Sequence, residues 1–387
     1  MQDTCSGNCI ICGKCLLGPV LEESGKSMRG IVPRKGYGLA VDIGTTTVVL
    51  ALINLATGKI VARHSFVNPQ RVFGPDVISR INAANNGHLS ELGILIKQSI
   101  SSAITTLLSA GGVSQSEVVD AAIAGNTVMV HLLLGIPCES LGVAPFKPTY
   151  TLEKAYRDLF PETCLDCSIF VMPWLAGYVG GDVMAGLIHV APEGKSRFLL
   201  MDIGTNGEIA LYDNGRLLVT ATAAGPAFEL PVRDSEYFLG ASGVISALAG
   251  IVREEIVDES GFMINEGLFT QKQVRDLQLA KSAIRSGLEI LLEIGGCAYT
   301  DLEAVYLAGG IGQAMNIEDA ACIGLIPHKL KSISIPVGNA SLGGASAYLT
   351  DTAMAAAEIW HLQNSAKEIN LAANANFNDY FMEYMLF

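Results

Sequence analysis

The chain repeats one pattern. Residues 37–66, YGLAVDIGTTTVVLALINLATGKIVARHSF, hold a β-branched run, an Asp-Ile-Gly-Thr turn, a second run, a Thr-Gly turn and a third run. Residues 198–229, FLLMDIGTNGEIALYDNGRLLVTATAAGPAFE, give the same order, with an Asn-Gly turn between the last two runs. Turn punctuation of this kind predicts a three-stranded antiparallel meander at each place. Around each copy stand helical stretches and further strand–turn–helix units: 88–110, 118–135 and 181–190 for the first, 241–258, 270–294 and 304–312 for the second. A duplication at this scale implies two related lobes. The expected fold is α/β, with each lobe a mixed sheet opened by its meander and flanked by helices. Helix 181–190 is expected to start on Asp182 as N-cap.

Composition narrows the function. Half of the 387 residues are apolar and 16% are charged, which excludes a disordered scaffold. The net charge of −13 argues against nucleic-acid binding. No apolar run approaches the ~18 residues of a membrane span, and the N-terminus has no basic leader, so a cytoplasmic protein with no membrane partner is expected. Four of nine cysteines, Cys5, Cys9, Cys12 and Cys15, crowd the first fifteen residues. The expected domains are a Cys-rich arm and linker over 1–35, a first lobe over 36–195, a second over 196–350, and a helical tail over 351–387 packing on the lobes.

One Asp-x-Gly-Thr is a common β-turn; two, each opening a meander, suggest a phosphate clamp. Gly44 exposes amides to an anion, Thr45, Thr46 and Thr47 can donate to phosphate oxygens, and Asp42 can hold hydrated Mg²⁺. The second copy offers Asp202, Gly204, Thr205, Asn206 and Glu208, so the metal is expected between Asp42 and Asp202. No Walker or dinucleotide fingerprint competes.

With LAGGIG downstream, the chain resembles the actin, sugar kinase and heat-shock ATPase superfamily, whose lobes are duplicated ribonuclease-H-like units. That resemblance implies that Gly309, Gly310 and Ile311 form an adenosine turn, and that Asp182 orients the attacking water or acts as general base; a plain N-cap is the alternative. More closely, GNTVMVHLLLGIPCESLGVAPFKP, PWLAGYVGGDVMAGL, DIGTNGEIAL, AAGPAFE, QLAKSAIRSGLEILL, VYLAGGIG, IEDAACIGLIP, VGNASLGGA and NFNDYFMEYM occur in this order across residues 36–387. As a set they resemble the ATPase region of the reductive activators of corrinoid proteins. The resemblance implies ATP-dependent, one-electron reduction of a Co(II) corrinoid to Co(I) on a partner corrinoid protein of a methyltransferase system, using a low-potential electron donor. It leaves room for a homodimer. Gly225 and Glu229 of GPAFE are assigned to the nucleotide, with a simple turn as the alternative for Glu229. Gln278, Lys281 and Arg285 are implied beside adenine and ribose, with a solvated helix face as the alternative.

Two departures stand out. After GPAFE the chain reads LPVRDSEYFLGASG, a divergent loop whose Arg233 is the candidate contact to the corrinoid protein. The ferredoxin module usual at the N-terminus is replaced by C-x3-C-x2-C-x2-C, spacing suited to one 4Fe–4S cluster; zinc or an unmetallated arm are the alternatives. Cys164 and Cys167 read as a reduced surface pair, Cys138, Cys297 and Cys322 as core. His131 reads as a hydrogen-bonded core histidine and Trp174 as packing. An activator of a radical-type acyl-CoA dehydratase or reductase, a small-molecule kinase and a nucleotide-binding regulator remain as other functions.

Overall fold

The computed structural model describes residues 31–148, 155–163, 165–204, 206–229, 241–265, 267–312 and 314–387. The cysteine arm (Cys5, Cys9, Cys12, Cys15), Cys164, Thr205 and the divergent loop with Arg233 lie outside these residues. The described chain divides into two compact units. The first holds 31–194 and 340–365, the second 195–339 and 366–387.

Both units open as the repeat predicts. In the first, β1 (Tyr37–Ile43), β2 (Thr47–Asn54) and β3 (Lys59–Val67) form the antiparallel meander. Strands β4 (Val118–Gly125) and β5 (Ser168–Val171) then add in parallel beside β1, giving the order β3-β2-β1-β4-β5. In the second, β6 (Arg197–Ile203), β7 (Gly207–Asp213) and β8 (Arg216–Thr222) repeat the meander, and β9 (Ala304–Ala308) and β10 (Ser334–Gly338) extend it in parallel. The order β10-β9-β6-β7-β8-β11 is the first sheet's order with one more edge strand, β11 (Ala366–Glu368). The duplication is therefore topological as well as sequential.

Local chemistry explains the turns. Asn214 and Gly215, both at positive φ (49° and 91°), make the tight connection between β7 and β8, as a right-twisted two-residue hairpin requires. Central strands β1 and β6 are buried almost throughout, as sheets covered on both faces demand, whereas edge strand β3 is only half-buried. Helices supply the cover. In the first unit these are α1 (Val77–Ala83), α2 (Leu89–Gly111), α3 (Thr127–Leu134) and α4 (Gly181–Val190). In the second they are α5 (Ala241–Arg253) and α6 (Gln271–Gly295). Leu92, Ile96, Ile100, Ile104 and Leu107 of α2 meet Leu39, Val41 and Leu50 of the first sheet. Leu277, Ile284, Leu288 and Leu291 of α6 meet Leu199, Met201 and Ile209 of the second. Each such side chain contributes about 1.5–3 kcal/mol on burial. The helical stretch Val77–Gly111 is long and apolar enough to cross a membrane, but half of its most apolar window is buried inside the fold.

The C-terminal segment, residues 340–387, departs from expectation. Helices α7 (Ala340–Thr350) and α8 (Thr352–Ser365) return to the first unit, where α7 packs on α4, β1 and β4. The chain then re-enters the second unit as β11, parallel to β8, and as α9 (Phe377–Glu383) against α6. The expected boundary at 195/196 lies one residue from the division at 194/195, whereas the expected boundary at 350/351 does not give the double crossing at 339/340 and 365/366. Membership is fixed by which sheet a segment covers, and no local pattern reports that.

Four smaller readings change. Cys167 is a buried thiol pushed up to about 11 by desolvation, and so is not on the surface. Cys138 is fully buried and pushed up to about 12, whereas Cys297 and Cys322 are only half-buried, packing at the edge of the second core. His131 is buried against Trp174, ring centroids 5.3 Å apart, but neither ring nitrogen has a hydrogen-bond partner among the described residues. Burial lowers its pKa to about 4, so it stays neutral.

Candidate functional site: two phosphate-type hairpins

In the first unit, strand β1 ends on Asp42-Ile43 and the chain turns through Gly44, Thr45 and Thr46 before Thr47 opens β2. The Gly44 amide donates to the Thr47 carbonyl at 3.0 Å and closes the turn. Asn68, fully buried beyond β3, braces it: its amide donates to the Gly44 carbonyl at 2.9 Å, and its backbone N–H to the Thr46 carbonyl at 2.8 Å. Ser341, at the start of α7, donates its hydroxyl to Asp42 Oδ1 at 2.7 Å. Asn126, after β4, donates to Thr45 Oγ1 at 3.0 Å.

Asp182 lies in the first turn of α4, whose N-cap is Gly180. Its carboxylate accepts from the neighbouring Val183 N–H at 2.8 Å and so does not take the N-cap position. Desolvation pushes its pKa up to about 7, with the Asp42 charge raising it further against the hydrogen bond from Val183. A carboxyl poised near neutrality can exchange a proton with water at little cost, which is what a general base needs.

The second unit repeats the arrangement. Asp202 is the penultimate residue of β6, the Gly204 amide donates to the Asn206 carbonyl at 2.9 Å, and Glu208, nearly buried, sits opposite Asp202 across the β6–β7 pair. Gly309, at φ +82°, opens the short helical turn Gly309–Gly312 that follows β9. A side chain there would lie 2.6 Å from the Ile203 carbonyl and collide with Asp202 Oδ1. Only glycine lets this turn close on the aspartate. Gly310 is exposed beside it, while Ile311 is anchored in the core. Gly225 takes a positive φ of 69° just ahead of the short turn Pro226–Glu229.

Gln278, Lys281 and Arg285 make their contacts within the second unit. Their donor groups are taken up there by the C-terminal segment and neighbouring turns, while Gln278 Oε1 is buried with no hydrogen-bond partner among the described residues. Gln278 donates to the carbonyls of Ser260 (2.9 Å) and Met385 (2.8 Å). Lys281, with no exposed surface, donates to the carbonyls of Ile323 (2.6 Å) and Leu386 and lies over the Phe387 ring. Arg285 pairs with Glu289 at 2.7 Å, donates to the Gly324 carbonyl and stacks on Tyr384. Burial, with the Arg285 charge, lowers the Lys281 pKa to about 7.

Ser341, Asn68 and Asn126 bond the first hairpin and were not among the residues expected from the sequence. Asn126 carried the one local signal, a polar N-cap between a strand and an apolar helix. Among the described residues no three His, Cys, Asp or Glu side chains gather as a metal cage. Asp42 and Asp202 are each of the type that holds Mg²⁺, which is commonly bound by one or two carboxylates together with phosphate and water.

Two units with the same meander-first sheet order, each bearing an Asp-Ile-Gly-Thr hairpin at the end of its first strand, define the actin-like ATPase class. Residues 37–192 match the RACo middle region, and residues 196–232 and 264–387 match the C-terminal domain of RACo, the ASKHA domain. The chain belongs to the RACo family. It is 31% identical over 384 residues to the corrinoid activation enzyme RamQ of Eubacterium limosum, across 81% of this chain and 64% of that protein. It is 24% identical to a [Co(II) methylated amine-specific corrinoid protein] reductase of Methanosarcina barkeri, across 89% of this chain and 76% of the reductase. The solved structure of a reductive activator for corrinoid,iron-sulfur protein superposes with a TM-score of 0.80 at 30% identity, over 92% of this chain and 67% of the other. The chain thus spans less than two thirds of the length of RamQ.

Proposed function

We propose that this protein binds Mg–ATP through its two hairpins and uses it to return a partner corrinoid from Co(II) to Co(I). The observation that carries this reading is the duplicated Asp-Ile-Gly-Thr hairpin in a chain of the RACo family. In it, Gly44–Thr47 and Gly204–Asn206 hold phosphate oxygens, Asp42 and Asp202 hold Mg²⁺ through water, and Asp182 orients the hydrolytic water. Gly309, Gly310 and the Gly225–Glu229 turn border the nucleoside.

The chemistry balances as two coupled reactions. A low-potential donor gives one electron to Co(II), forming Co(I); separately, ATP and water give ADP and phosphate. For a one-electron couple ~59 mV corresponds to about 1.4 kcal/mol. Remodelling the cobalt site by about 5 kcal/mol therefore moves its potential by about 200 mV. A nucleotide that binds one arrangement of the protein more tightly supplies that work. Cys5, Cys9, Cys12 and Cys15 offer four thiolates within eleven residues, the donor set of a 4Fe–4S cluster, and give the electron an entry point. The partner is a corrinoid protein of a methyltransferase system, the loop around Arg233 is its contact, and the location is cytoplasmic.

The test is anaerobic visible spectroscopy of a corrinoid protein mixed with this chain, a low-potential donor and Mg–ATP. Loss of the Co(II) spectrum and appearance of Co(I) support the proposal. Activation of an acyl-CoA dehydratase, or phosphorylation of a small metabolite, with no corrinoid reduction would reassign it.

A further inference from the structure

We infer that Asn126 is a positioning residue for the nucleotide phosphates, acting through the hydroxyl of Thr45. The inference rests on the proposal that the first hairpin binds a nucleotide.

Topology brings the two residues together. Strands β1 and β4 run parallel with Ile43 opposite Gly125. The residues that follow each strand therefore leave the same end of the sheet side by side. Asn126 is the N-cap of α3, and its Oδ1 accepts from the Met129 N–H at 2.9 Å. That bond fixes which end of the amide faces which way, because the reverse orientation would set an NH₂ against an N–H. The amide nitrogen is thereby aimed at Thr45, where it donates to Oγ1 at 3.0 Å.

The direction of this bond matters. A threonine hydroxyl has one proton and two lone pairs. With a lone pair taken by Asn126, the proton of the buried Thr45 hydroxyl is directed away from Asn126. An acceptor in place of the amide would capture that proton. Asn126 thus keeps Thr45 a donor, as an anionic ligand requires.

The same residue meets the helix that carries Asp182. A Cβ on Gly180 would lie 2.5 Å from Asn126 Cα and 2.6 Å from Thr127 N. The start of α4 is seated directly on the Asn126 backbone. One residue therefore touches the phosphate hairpin through its side chain and the start of α4 through its main chain.

The experiment is a double-mutant cycle on the full chain, read as the dissociation constant for Mg–ATP. Asn126→Ser keeps a capping side chain but is too short to bond Thr45; Thr45→Val removes the hydroxyl at constant shape. Each single variant should weaken binding about tenfold, in line with the loss of one hydrogen bond to a charged group. The double variant should bind no worse than Thr45→Val alone, because the two residues act as one unit. A mere helix cap would leave Asn126→Ser at wild-type affinity, or would make the two losses multiply; either result overturns the inference. Asn126→Asp, which caps equally well and keeps the length, guards against misfolding. It should weaken binding more than Asn126→Ser, and wild-type affinity there also overturns the inference. If Thr45→Val itself binds normally, the hairpin reading falls too. Loss in Thr45→Val without loss in either Asn126 variant refutes the positioning role alone.

Discussion

Replacing Asp182 by Asn should make the first unit more stable at high pH while destroying hydrolysis. An aspartyl carboxyl that ionises at about 7 instead of its ordinary 3.8 keeps a proton that the unfolded chain has already released. The folded state then loses about 4 kcal/mol between those two pH values. The sign follows from the raised pKa: the stabilisation is complete below pH ~4 and is lost as pH climbs through about 7. The asparagine carbonyl can still accept the Val183 N–H, and the side chain never ionises. Between pH 5 and pH 8 the wild type should therefore lose about 2–3 kcal/mol relative to Asp182→Asn. Urea unfolding followed by tryptophan fluorescence is suited to this, because both tryptophans, Trp174 and Trp360, belong to the first unit. The same variant should hydrolyse ATP at least ~100-fold more slowly, the usual cost of losing a general base. If stability changes with pH identically in the two proteins, or hydrolysis survives within about twofold of the wild type, the account of Asp182 is wrong.

Gly309→Ala puts a side chain at a positive φ and against Asp202; it should cost about 1–2 kcal/mol in folding stability from the backbone alone and weaken Mg–ATP binding, both measurable by denaturant titration and calorimetry. Protein prepared anaerobically should carry roughly four irons per chain with broad visible absorption; a colourless preparation with stoichiometric zinc would make the arm structural.

The architecture was legible wherever one local signal specified it. Asp-Ile-Gly-Thr followed by β-branched runs and a Thr-Gly or Asn-Gly turn marked both meanders, because strand period and turn chemistry are carried by neighbouring residues. The return of Ala340–Ser365 to the first unit was not legible. Its Ala- and Gly-rich pattern states that something packs closely, not what. Strand β11 hides for a related reason: three residues, Ala366–Glu368, pair with an edge whose location is set by the whole fold.

The site divided along the same line. Asp42 and Asp202 are singled out by the repeat, and Asp182 by the resemblance to the superfamily. The contacts of Ser341 and Asn126 were not legible because their partners, Asp42 and Thr45, stand 299 and 81 positions away; Asn126 signalled only its role as a helix cap. For Gln278, Lys281 and Arg285 the contacts stay hidden in the sequence because a polar helix face looks the same whether a ligand, water or chain carbonyls satisfy it. Burial separates a solvated face from the other two, and Lys281 is wholly enclosed.

The coupling of nucleotide to cobalt is tested most directly by following the cobalt absorbance of a corrinoid protein under strict anaerobiosis, with donor in excess. Four mixtures suffice: wild type or Asp202→Ala, each with and without Mg–ATP. The account predicts conversion of Co(II) to Co(I) by the wild type with ATP alone, the other three mixtures remaining Co(II). Equal reduction without ATP, or full reduction by Asp202→Ala, would contradict it.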